Sequence, residues 1–212
     1  MSTRYVCASW QGLLQQLVYL IGRGYFFYHV TYLPVNKKEK YSQIDAKLIG
    51  KYKTDKTKWQ RSRLKAKGVA NFYYLRWKHV AVILHTLGEQ EDEIIYDDKF
   101  LDIRKNPLLL KISELVAFNI QIVDRRVTVK LAKDTYEGLR IELHQVAKTK
   151  SKEKMAKAFD RINGFPAWAG IIVQKRRLAW YLCEQAKKHN IQLDQSELRF
   201  VDQRKPVKVF QE

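Results

Sequence analysis

The chain has 212 residues, of which 40 are Lys or Arg and 22 are Asp or Glu, giving a formal net charge of +18. That excess is the electrostatic footprint of a polyanion binder, while 46% hydrophobic residues, with five Trp, twelve Tyr and nine Phe, furnish a packed core and exclude disorder. Cys7 and Cys183 are too few for a disulfide framework and no Cys/His spacing suits zinc, so a reducing cytoplasm is the expected setting; the apolar run 13–21, broken by Gln15-Gln16 and followed by Arg23, is too short for a membrane span.

In chain order, Ser9 is placed to cap a first helix whose apolar face is Trp10, Leu13, Leu14, Leu17, Leu20 and Ile21, ended by Gly22-Arg23-Gly24. The aromatic and β-branched run 25–33 stops at Pro34 and reads as a strand. The stretch 36–68 follows, with twelve Lys or Arg against three acids. Its Tyr41, Ile44, Leu48 and Tyr52 recur at three and four residues, the apolar stripe of a helix, with Lys37, Lys40, Lys47 and Lys51 on another face. Thr54-Asp55 is placed to cap a second helix over 56–67, anchored by Trp59 and Leu64 and carrying Lys58, Arg61 and Lys65 as one row.

Residues 69–87 read as two strands with Trp77-Lys78 near their turn. The acidic loop 88–93 leads to a strand or hairpin over 94–103, and Pro107 precedes the apolar run 108–115. Alternation on both sides of Asp124-Arg125-Arg126 predicts a hairpin over 118–132. Three helices follow. The first starts at Asp134 or Thr135 and has Tyr136, Leu139, Leu143 and Val146 inward. The second starts at Ser151 with Met155, Ala158, Phe159 and Ile162 inward. The third lies within 167–189, with Pro166 at its first position, and turns Ile172, Leu178, Ala179, Leu182 and Cys183 inward. The end, 198–210, reads as two short strands around Arg204-Lys205-Pro206. Strands bunched and joined by short turns make this an α+β chain, an antiparallel sheet with hairpins covered by the basic helical pair and the C-terminal helices. It is expected to form a single domain over 1–212 with a helical sub-region over 134–190.

Three patterns bear on chemistry. The first is aromatic beside basic: Tyr25 to Tyr28 beside His29; Phe72, Tyr73 and Tyr74 beside Arg76, Trp77 and Lys78; and Trp180-Tyr181 after Lys175-Arg176-Arg177. Exposed rings stack unpaired bases, at roughly 1–3 kcal/mol per base, while cations hold phosphates. The stretch 67–74 matches the RNA-recognition strand pattern only in part, because Val69 and Asn71 stand where the stacking rings would be. The second pattern is acidic: Asp97-Asp98-Lys99, with Glu91 and Asp102 near, has the carboxylate and lysine spacing of a metal-dependent nuclease. The third is negative, since no phosphate-cradling Gly-rich loop, nucleophile elbow or dinucleotide fingerprint occurs.

The reading these support is a protein that binds DNA or RNA through three groups of residues. They are Lys40, Lys47, Lys51, Lys58, Arg61 and Lys65 of the basic helices, Tyr73, Arg76 and Lys78 of the aromatic strand, and the cluster Lys175, Arg176 and Arg177. No cofactor and no membrane partner is expected. The alternative is a metal-dependent endonuclease using Asp97, Asp98, Lys99 and Glu91 with Mg²⁺, and a second alternative is a basic subunit of a ribonucleoprotein assembly.

Overall fold

A computed structural model describes residues 4–89, 91, 98–203 and 206–211. The chain is α+β, with six α-helices and two antiparallel sheets among those residues. It divides into two compact units, one of residues 1–108, 121–127 and 207–212, the other of 109–120 and 128–206. The strands of the first sheet are β1 (Phe27–Tyr32), β2 (Phe72–Trp77), β3 (Val80–His85) and β4 (Leu101–Asp102), in the order β2-β3-β1-β4. β3 is buried along its whole length, as its unbroken apolar run requires of a central strand. It pairs antiparallel with β1 and β2, so that Phe27, His85 and Phe72 fall opposite one another, as do Thr31, Ala81 and Arg76.

That register sorts the aromatic strand by face. Phe72, Tyr74 and Arg76 share a face with His85, Ile83 and Ala81, and α2 (Tyr41–Tyr52) packs there through Tyr41, Tyr52, Ile44 and Leu48. The spacing of those four residues is the stripe expected from the sequence. Tyr73 points to the opposite face. There α1 (Trp10–Gly22) buries Leu13, Leu14, Leu17, Leu20 and Ile21 against the strand. Ser9 caps α1 by accepting from the Gly12 amide at 3.0 Å. A Cβ on Gly12 would stand 2.8 Å from the Val209 carbonyl, so the C-terminal chain can lie on α1 only because this position has no side chain.

Between α2 and β2 comes α3 (Lys58–Ala66). Its cap is Thr57 rather than Thr54-Asp55: Thr57 accepts from the Gln60 amide and the Gln60 side chain accepts from the Thr57 amide, a complete capping box. Lys37 and Lys40 lie in a short 3-10 helix, Val35–Lys40, ahead of α2 instead of in its first turn.

The other unit holds α4 (Lys133–Ala147), α5 (Lys152–Ile162) and α6 (Ala169–Lys188). Their common core contains Leu143, Ala147, Met155, Phe159, Ile162, Leu178 and Leu182. Ser151 caps α5 as expected. Pro166 stays outside α6, whose N-cap is Trp168. The second sheet has the order β5-β6-β7, from β5 (Leu108–Lys111), β6 (Ala117–Val123) and β7 (Arg126–Leu131). The β6–β7 turn puts Asp124 at φ 48° and Arg125 at φ 62°, the paired left-handed conformation of a two-residue hairpin loop. The two terminal strands expected over 198–210 do not form among the described residues, and Arg204 and Lys205 of their expected turn lie outside those residues. That segment has the short 3-10 helix Gln195–Glu197 before it, and an isolated bridge joins Phe210 to Cys7. Of the strand or hairpin expected over 94–103, the described residues form strand only in β4, and 94–97 lie outside the described residues.

Candidate nucleic-acid interface

The apolar stripe of α2 faces β2, and the lysines of the helix stand on a flanking face. Lys40, Lys47, Lys58 and Lys65 are exposed, and among the described residues none is ion-paired. Arg63 and Lys67 are exposed on α3 and its C-cap in the same way. With Lys37 and Lys38, exposed in the short 3-10 helix ahead of α2, these side chains are the open cations of the stretch.

In the unit that holds α2 and α3, three of the residues expected to meet phosphate are engaged within the protein. Lys51 donates to Asp98 Oδ2 at 2.8 Å. Arg76 grips Asp45 with two donors, Nε to Oδ1 at 2.7 Å and Nη2 to Oδ2 at 2.8 Å; Asp45 is only 1% exposed, and Tyr74 Oη donates to the same carboxylate at 2.7 Å. A carboxylate buried this deeply needs a bidentate cation to hold its charge, so the guanidinium of Arg76 is a structural group and not a phosphate ligand. Arg61 turns back toward the sheet, donating to the Thr54 carbonyl at 2.6 Å while its guanidinium lies over Tyr73, 4.4 Å from the ring centroid.

Tyr73 is correspondingly not an open stacking platform. One side of its ring meets Arg61 and the edge of Tyr25 approaches at 6.1 Å and 88°. Burial raises the pKa of its phenol. The strand alternation was legible, but the face opposite α2 is covered by α1. Lys78 is exposed at the β2–β3 turn, with a left-handed φ of 48°.

Trp59, expected as an anchor of α3, is 78% exposed. The helix is held instead by half-buried Arg61 and Leu64, and none of its residues is buried.

In the other unit Lys175 is fully buried. Its ammonium donates to the carbonyls of Phe165 at 2.8 Å and Val201 at 3.3 Å, so it cannot meet a phosphate; burial pushes its pKa down. Arg176 and Arg177 are exposed on the same helix, one turn before Trp180, which is 58% exposed.

The acidic candidates divide. Asp97 lies outside the described residues. Asp98 accepts from Lys51 and from the Tyr52 hydroxyl, and His29 Nε2 stands 4.0 Å from its other oxygen. The hydrogen bonds from Lys51 and then Tyr52 hold its pKa below the usual carboxylate range, while burial and the bond to Asp98 push the Tyr52 phenol up to about 12. Glu91 pairs with Lys56. Lys99 is exposed and offers its carbonyl to His29 Nδ1 at 3.1 Å. Among the described residues no group of three His, Cys, Asp or Glu side chains is arranged to hold a metal ion. What Asp98 does in this geometry is tie the segment after 97 to the last turn of α2.

No protein-family model, curated protein or solved structure matches the chain. What it does must therefore be read from its own residues. No helix among the described residues is long and apolar enough to cross a membrane.

Proposed function

We propose that this protein binds nucleic acid, with the α2–α3 region as its principal contact surface. The observation that supports this is the sorting of charge on that surface. The local acids are consumed or outnumbered: Asp45 is buried against Arg76, while Lys47, Lys58, Arg63, Lys65 and Lys67 stand exposed without a carboxylate partner among the described residues. Unneutralised cations repel one another and lower the stability of the fold, and a phosphate backbone relieves that repulsion while releasing its own counterions. An ordinary solvated face would intersperse acids along the same rows, as α4 does with Glu137 and Arg140 at 3.0 Å.

The test is the triple variant K47E/K58E/K65E, all at exposed positions. Binding to single- and double-stranded DNA and to RNA weakens irrespective of sequence. The dependence of log K on log salt flattens by roughly 0.7–0.9 for each phosphate that the variant no longer neutralises. A folded variant with unchanged affinity and slope removes these helices from the interface.

A further inference from the structure

Trp59 is the least expected side chain on the surface. An α-helix of nine residues gains little from its own hydrogen bonds, and α3 buries no residue to offset that. It is stabilised by its capping box, by Arg61 and by Leu64. Trp59 contributes to none of these, since it lies 78% exposed and has no ring or cation contact among the described residues. At helical spacing its row continues through Arg63 and Lys67, both exposed, with Lys58 beside it. A large flat apolar ring thus stands at the start of a cationic row, with the next cation of the row four residues, about 6 Å, along the axis.

We infer that Trp59 stacks on an unpaired nucleobase, so that the α3 surface takes single-stranded rather than fully paired nucleic acid. This rests on the nucleic-acid reading above and narrows its substrate class. The occupant follows from complementarity: it must be anionic, to meet Arg63, Lys67 and Lys58, and must present a bare π face, to cover the indole. Unpaired nucleotides have both, whereas the base faces of a duplex are already covered by their neighbours. An anionic membrane surface also attracts a Trp beside lysines, but a helix that lies on lipid needs a broad apolar face. On α3 the only other exposed apolar residue is Ala66.

The experiment uses the full chain and its W59A and W59F variants. Each is titrated with a fluorescent single-stranded oligonucleotide, with the duplex of the same sequence, and with vesicles of mixed phosphatidylcholine and phosphatidylserine. W59A loses roughly five- to a hundredfold in single-strand affinity, W59F recovers most of it, and duplex affinity and the salt slope stay as in the parent. Because the side chain supports no packing, the melting temperatures of the variants match the parent, which separates a loss of stacking from a loss of folding. Unchanged single-strand binding by W59A, an equal loss on single strand and duplex, or vesicle binding that W59A abolishes would each overturn the inference. A parent chain that binds no nucleic acid overturns the broader reading with it, whereas failure of the Trp59 arm alone leaves the charge-reversal result standing.

Discussion

Lys175 shows how a single residue can mislead and then instruct. As part of Lys175-Arg176-Arg177 it reads as a third phosphate contact, yet consecutive residues on a helix point about 100° apart, so three neighbours cannot all face one ligand. Its spacing from Ile171, Leu178, Ala179 and Leu182 places it on the buried row, a pattern visible in the sequence once 171 is taken as the row's start. Burial lowers the pKa of the folded-state ammonium below its ordinary value of 10.5, and the pH dependence follows from that sign. Below the lowered folded-state value both states hold the proton and the desolvation penalty is constant. Between that value and 10.5 the folded state is neutral and the unfolded state still charged, so stability rises with pH. We expect Lys175→Met, which keeps the chain length of the stem and removes the charge, to flatten this rise. Denaturant melts of parent and variant across the alkaline range, compared as a difference, isolate the lysine from the tyrosines that titrate there in both proteins. Trp59 is the converse error. Tryptophan in a helix reads as an anchor, and the signal that it is not one lies in its neighbours at i+4 and i+8, Arg63 and Lys67, which no buried row would contain.

Elements whose identity is fixed by local chemistry were legible. The Ser9 and Ser151 caps, the α2 stripe and the alternating hairpin of β6 and β7 all appear where periodicity and capping place them. Elements settled by long-range contacts were not. The chain over 206–210 has the alternation of a strand, yet it meets the body through single hydrogen bonds, Ala8 amide to Val209 carbonyl at 2.9 Å and Gln211 amide to Val6 carbonyl at 3.0 Å, and a single bridge does not make a sheet strand. Close backbone approach is equally invisible in one sequence. Gly170, in the first turn of α6, would with a Cβ stand 2.4 Å from the Val129 carbonyl of β7. Backbone cannot yield as the end of a flexible side chain can, so Gly170→Ala forces the helix start away from the strand and breaks the clamp in which Gln174 accepts from the Leu131 amide at 2.7 Å and donates to its carbonyl at 3.1 Å. We expect a loss of about 1–3 kcal/mol, read by urea unfolding with helical circular dichroism; a variant as stable as the parent would show that the α6 start is free to shift.

Charge is shared across the whole molecule and not confined to its richest stretch. The unit containing α2 and α3 has 22 Lys or Arg against 12 acids, and the unit containing α4 to α6 has 18 against 10. Each unit is therefore basic on its own account, a property that composition announces, whereas the division into units does not show in composition because no Pro- or Gly-rich linker marks it. Internal pairing takes part of the second unit's charge: Lys152 meets Glu197 at 3.0 Å, Arg161 meets Glu142, and Lys175 is buried. Arg176 and Arg177 remain exposed and lie within a turn of exposed Trp180, the same juxtaposition of cation and open indole that α3 presents. If the attraction to nucleic acid is spread over both units, a change on α6 must register in the binding of the full chain even with α3 intact. The expected result for R176E/R177E is a sequence-independent loss of affinity and a salt slope shallower by roughly 0.7–0.9 per phosphate no longer neutralised, added to the effect of K47E/K58E/K65E when the two sets are combined. Additivity is expected because the two sets share no partner. Salt titrations of the parent, the two variants and their combination decide the matter: a slope untouched by R176E/R177E assigns all phosphate contacts to the first unit, and leaves the exposed arginines of α6 without a part in binding.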